Sequence, residues 1–292
     1  MNGALWWKTL RDAKAAVGGV AVALFAVAAL RVGLYPLYRD QLTDALLPES
    51  MRRFFGDISS IATPEGYYAS SYFALAPLLA AIVGLIAGSA AVAGEEAAGT
   101  LDLLLAQPVR RTRLLLEKAA GIGLGVAVGV LASLLGFLIF VPWPETEVRP
   151  GPATVAHLEM AHQALLFSAV AIAGSAWLPS RAQAGLVAAG LMIATWVAAG
   201  LGASIESLAV LRDISPFGWV EYEAVLRGAW EWQPAAGDVL LTAALLALAC
   251  WGFERRDIVA GPRERTGWRG FAARLRREGS SEKPPLAQDL PR

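Results

Sequence analysis

The run Glu95–Lys118, EEAAGTLDLLLAQPVRRTRLLLEK, decides how the rest of the chain is read. It carries four acidic and four basic side chains, between apolar runs at Phe73–Ala93 and Ala119–Val141. Charge at that density cannot lie in hydrocarbon, and each flanking run is long enough to cross a core about 30 Å thick. The stretch is therefore a short loop held close against a membrane surface.

Composition agrees. Of 292 residues, 56% are hydrophobic and 17% charged, with a mean hydropathy of +0.49. A soluble domain carries about 25% charged residues. The single cysteine, Cys250, lies in an apolar run, which excludes an internal disulfide and a Cys-based zinc site. Six apolar runs emerge, at about 15–34, 73–93, 119–141, 160–178, 185–205 and 236–253. They predict an all-α membrane protein with six transmembrane helices, as one domain over 1–258, followed by a basic tail over 259–292.

The connections differ in character. Met1–Lys14 sets Leu5, Trp6, Trp7 and Leu10 against Lys8, Arg11 and Lys14. This reads as an amphipathic interfacial helix, or more plainly as the charged flank of the first span. A cleavable leader is not expected, because the apolar run behind it is full-length. Tyr35–Ser71 reads as a small ordered cap holding Tyr67 and Tyr68, with one short amphipathic helix around Leu42, Leu46 and Leu47. Glu206–Asp238, with Trp219, Trp230 and Trp232, reads as short interfacial helices or a re-entrant element. In the tail, Trp268–Arg277 can form a second interfacial helix, and Ser280–Arg292 has a disordered composition.

Lys and Arg set the orientation. Eighteen of 25 fall on one side: Lys8, Arg11, Lys14, Arg110, Arg111, Arg113, Lys118, Arg181 and the ten after Phe253. Arg31, Arg39, Arg52, Arg53, Arg149, Arg212 and Arg227 fall on the other. The positive-inside bias then makes both termini and the Glu95–Lys118 loop cytoplasmic. Within the spans, Gly84 and Gly88, and Gly121, Gly125 and Gly129, recur every fourth residue and form faces that let helices approach closely.

Several chemistries are not expected. No G-x-x-x-x-G-K-[ST] run occurs, so ATP would not be held in a P-loop of this chain, and no catalytic or cofactor-binding residue is expected. The spans read as essentially free of Asp, Glu, Lys and Arg, which argues against an ion-coupled carrier. Ser89, Ser133, Ser168 and Ser175 have no His at matching depth for serine proteolysis, since both histidines sit at a span mouth. There His157, Glu159, Met160 and His162 could be read as metal-handling. Histidines five apart point about 140° from one another on a helix, so a polar rim is the plainer reading and no metal site is assigned.

Within the central loop, Pro108 separates two halves. Upstream, Glu95 and Asp102 share one face of a short helix while Ala97, Ala98, Leu101, Leu104 and Leu105 line another. Downstream, Arg110, Arg111, Arg113 and Lys118 lead back into the bilayer at headgroup level. On physical grounds alone this is a surface helix, a turn and a basic return, and a charged loop that only fixes topology remains open.

The acidic pair Glu95–Glu96, then Gly99-Thr100-Leu101, Asp102, the leucine run, Pro108, Arg110, Arg111, Arg113 and Lys118 together resemble the signature of type 2 ATP-binding-cassette (ABC) exporter permeases. The resemblance extends to Ser215-Pro216-Phe217 with Trp219, and to Phe253-Glu254-Arg255-Arg256-Asp257-Ile258. It implies a half-size, non-enzymatic permease of the cytoplasmic (inner) membrane. That permease pairs with a second copy or a sibling and with two ATPase subunits, which hold ATP and Mg. It further implies that Glu95, Glu96, Gly99, Thr100, Leu101, Asp102, Pro108 and Arg110 belong to a coupling helix that docks on the ATPase. A helix over Gly3–Lys14 would form a second contact, and the short turn over Pro179–Ala184 would be the other cytoplasmic loop. Nucleic acid is not an expected partner. A permease for copper-enzyme maturation, with the His157–His162 mouth as its only local hint, and a non-transporting membrane anchor or assembly factor are the alternatives.

Overall fold

The computed structural model describes residues 4–39, 63–106, 109–142, 146 and 148–257. The expected helix at Leu42–Leu47, Pro108, Ile258 and the expected tail helix and disordered end lie outside them. The described residues are mostly helical, without strands, and six helices are long and apolar enough to cross a membrane. These spans run Lys14–Tyr38, Pro64–Ala90, Arg111–Phe140, Pro150–Trp177, Arg181–Ser204 and Gln233–Arg255. A separate N-terminal helix, Ala4–Asp12, precedes the first. The chain alternates between two ends of the bundle. One, the loop end, gathers residues 90–106 and 109–111, 177–181, the 255–257 stretch and the N-terminal helix; the other is the far end.

Span four is the central element: 67% of its apolar window is buried, against 22% for spans five and six. Glycine lets its neighbours close on it and on span three. A Cβ on Gly84 would lie 2.5 Å from the Cβ of Ser168, and one on Gly88 would lie 3.0 Å from the Cβ of Ala171, so span two rests on span four at backbone distance. On span three, a Cβ on Gly121 would meet the Trp6 carbonyl at 2.5 Å, on Gly125 Val17 at 2.9 Å, and on Gly129 Leu24 at 3.4 Å. One stripe thus seats both the N-terminal helix and span one.

Spans two and four begin well before their apolar runs. Thr63 caps span two, accepting from the Gly66 N–H at 3.2 Å, with Pro64 in the first turn. Tyr67 and Tyr68 therefore lie inside the helix rather than in a cap outside it. Five residues of π-helix, Ala69–Phe73, then carry the chain into Ala76–Ala90. Tyr68, Tyr72 and Phe73 close around Phe137 at ring separations of 5.3–6.1 Å. The far end of the core is an aromatic cluster.

Candidate functional site

At the loop end, the chain leaves span two through a fixed exit. Ser175 Oγ donates to the Ser89 carbonyl at 2.9 Å and accepts from the N–H groups of Val92 and Ala93, both at 3.0 Å. The helix Ala93–Ala98 follows, with Glu95 and Glu96 in its first turn. It stops at Gly99, whose φ of 69° is left-handed backbone that a β-carbon disfavours. The N–H groups of Gly99 and Thr100 turn back to the carbonyls of Glu96 and Glu95, at 3.1 and 3.0 Å. A second short helix, Leu101–Leu105, then begins.

The single amphipathic helix expected upstream of Pro108 is therefore two helices bent at Gly99, and its faces part accordingly. Glu95 turns inward and Asp102 outward, although a continuous helix would put both on one side. Leu101, 1% exposed, enters a core patch with Leu114, Leu115 and Phe253. Ala97, Ala98, Gly99 and Asp102 face away from the bundle, as does Leu103 at 71% exposure. Arg110 is exposed at the start of span three.

Ion pairs hold the inward face. Lys118 Nζ donates to Glu95 Oε1 at 2.9 Å and to the Ala91 carbonyl at 2.7 Å. Lys8 of the N-terminal helix lies 3.5 Å from the same carboxylate, and Thr100 donates its hydroxyl to it. Burial alone would raise the Glu95 pKa; the bonds from Lys118 and Thr100 and the charges of Lys118 and Lys8 outweigh it and hold the carboxyl below its ordinary range.

Glu96 accepts from Arg256 Nη2 and Nε at 2.7 and 3.0 Å. Arg256 Nη1 reaches the carbonyls of Ser175, Ala176 and Leu178, at 3.3, 2.9 and 3.0 Å, where span four ends. Arg111 Nη1 in turn donates to the carbonyls of Phe253, Glu254 and Arg256, at 3.1, 3.3 and 2.8 Å. One buried node thus joins the Ala93–Ala98 helix to the ends of spans two, three, four and six. Lys118, Arg111 and the pair Glu96–Arg256 are its parts. The sequence reading had no means of pairing residues 160 positions apart.

The far end differs from its reading. Span four starts at Pro150, so His157, Glu159 and His162 lie within it rather than at its mouth. His157 bonds the Ala153 carbonyl at 2.8 Å and Tyr72 at 3.3 Å. Tyr72 also bonds Ser133, so a histidine and Ser133 do share a depth, contrary to expectation. Tyr72 stands between them, which is not a nucleophile–base contact. Glu159 accepts from Trp230 Nε1 at 2.6 Å and lies 3.5 Å from His162 Nδ1. Asp238 in span six is fully buried, with neither carboxylate oxygen hydrogen-bonded among the described residues. The spans are therefore not free of acidic residues. Among the described residues no cluster of His, Cys, Asp and Glu is arranged to hold a metal. Helix-start signals at Pro150 and Pro234 could have placed both acids inside helices, because proline favours the first turn.

The Ser215-Pro216-Phe217 motif fastens the connection before span six. Ser215 Oγ donates to the Thr195 carbonyl at 2.8 Å, Gln163 donates to the Pro216 carbonyl at 3.0 Å, and Phe217 stacks on Phe167 at 5.1 Å. Tyr222 donates to Gln163 at 2.9 Å; burial first, then the nearby Glu159 and Asp238, push its hydroxyl pKa well up, so it keeps its proton. Between this connection and spans two and five lies a cavity of about 870 Å³, lined in part by Phe73, Trp196, Phe217, Arg212 and Glu221.

Residues 6–258 match the family described as ABC-2 family transporter protein. The chain is also similar to the probable ABC transporter permease protein NosY of Pseudomonas aeruginosa, at 35% identity over 149 residues, covering 49% of this chain. The match spans about half (52%) of that relative's length.

Proposed function

Because the chain belongs to the ABC-2 transporter family, as a multi-pass membrane permease subunit of an ABC transporter, we propose that it is the membrane half of an exporter driven through residues 93–106. Two ATPase subunits, carrying ATP and Mg, dock on the outward face formed by Ala97, Ala98, Gly99, Asp102 and Leu103, and a second permease copy or a sibling completes the pore. The protein sits in the cytoplasmic membrane with both termini and the loop end in the cytoplasm. ATP closes the ATPase pair, the docking segment moves with it, and the spans reorient about their glycine seams. The cargo is amphipathic, in keeping with a far-end cavity that sets Phe73, Trp196 and Phe217 beside Arg212 and Glu221.

One observation carries this reading. A segment tied on its inner side to four spans presents small and leucine side chains outward, with Asp102 among them, where a groove of a soluble partner can grip it. The test is co-purification with a co-expressed ABC ATPase, followed by ATP hydrolysis in a bilayer with and without the permease. Stimulated hydrolysis that Gly99→Trp abolishes, with the spans still inserted, is the expected result. An ATPase that neither binds nor responds, or a Gly99→Trp variant that stimulates fully, overturns the docking assignment.

A further inference from the structure

We infer that Arg256, the second residue of the basic stretch closing span six, is the positioning residue that makes spans four and six move with the docking segment. The inference rests on the reading that an ATPase pushes on residues 93–106, and adds which spans receive the push.

Three features carry it. The guanidinium spends separate donors on two different bodies: Nε and Nη2 on Glu96 of the docking segment, and Nη1 on three carbonyls at the end of span four. Its own carbonyl is held by Arg111, whose same nitrogen grips Phe253 and Glu254, so the end of span six cannot swing away from the start of span three. The Arg256 and Glu96 side chains are only 11% and 6% exposed, where a charge-assisted bond gains strength and water does not replace it. A planar fork is needed for this task. Lysine offers one point charge and cannot span a carboxylate on one side and helix-end carbonyls on the other.

Other contacts could bear load, but none has this reach. Lys118 and Lys8 join Glu95 to span three and to the N-terminal helix, and neither touches span six. Among the described residues, Arg181, at the start of span five, bonds the Ile86 carbonyl, at 3.4 Å. Arg256 is thus the described side chain that bonds the docking segment and span four at once from the end of span six.

Cys250 supplies the test, being the native cysteine of this chain, half-buried on span six less than two turns from Arg256. The full-length permease is assembled with its ATPase in nanodiscs, and the rate at which a maleimide labels Cys250 is measured without nucleotide and with ATP, Mg and vanadate. In the unaltered protein the rate changes on trapping. In Arg256→Lys and Arg256→Gln the ATPase stays bound with affinity changed less than about threefold, since the outward face is intact, while the nucleotide effect on Cys250 falls to under half. Arg256→Lys keeps the charge and guards against reading misfolding as uncoupling. The inference is overturned if Cys250 ignores nucleotide in the unaltered complex, or if both variants retain the full response. Failure of the unaltered chain to bind the ATPase would instead strike the docking reading on which the inference stands.

Discussion

The two ends of this bundle are held by different physics. At the loop end every buried charge described above meets an opposite charge or several carbonyls: Lys118 with Glu95, Arg256 with Glu96, Arg111 with the end of span six. At the far end the packing is aromatic, around Tyr68, Tyr72, Phe73, Phe137 and Tyr222, and among the described residues His162 is the basic side chain that reaches Glu159, while Asp238 lies buried nearby. A charge-bonded node is directional and resists shear, because each bond fixes a particular atom pair. Ring packing is tolerant of sliding, and it borders a large cavity. On the proposed function, the end that receives force is the stiff one and the end that opens is the adaptable one.

This contrast can be broken by removing charge at each end. Lys118→Met leaves Glu95 inward-facing with the Thr100 hydroxyl and the more distant Lys8, and should destabilise the protein by about 3 kcal/mol, with much of the loss recovered in Lys118→Met/Glu95→Gln. Thermal unfolding in detergent reads both, and a single variant as stable as the parent would deny the node its role. The pH dependence has a matching sign. Because the folded Glu95 pKa is depressed, its contribution is fully present above the ordinary carboxylate value of 4.5 and fades as pH falls through the lower folded value. The Lys118→Met penalty should therefore shrink in acid.

At the far end the sign inverts. Asp238→Asn replaces a buried carboxylate that accepts no hydrogen bond among the described residues by a neutral amide, and should stabilise the protein by about 1–2 kcal/mol. Loss of stability in that variant would mean that Asp238 is paired in the membrane, and the contrast between the ends would fall. A smaller effect belongs to Gly99→Ala, which forces a β-carbon into left-handed backbone and should cost about 1 kcal/mol. Its consequence should appear mainly as weaker ATPase binding, measurable by titration, since the bend at Gly99 sets which side chains face outward.

Much of the fold was legible because hydropathy and charge act over long windows: six spans and the position of the central loop need nothing finer. The span ends were less legible. Hydropathy stops where polar residues start, whereas the helices run on, carrying Tyr67, Tyr68, His157 and Glu159 inside. Periodicity put Glu95 and Asp102 on one face because it assumes a straight helix, and a single left-handed residue at Gly99 undid that. The Glu96–Arg256 pair was invisible for a different reason. Both residues stood out in motifs, but nothing local to either says that they meet.

The central claim is that the outward face of residues 97–103 is the ATPase contact. Its most direct test places a photo-crosslinking amino acid at Leu103, and separately at Trp232 on the far end as a control, both well exposed at 71% and 64%. With the partner ATPase present, an adduct at position 103 and none at 232 is the predicted result. Adducts at 232 alone, or at neither position while the complex remains assembled, would contradict it.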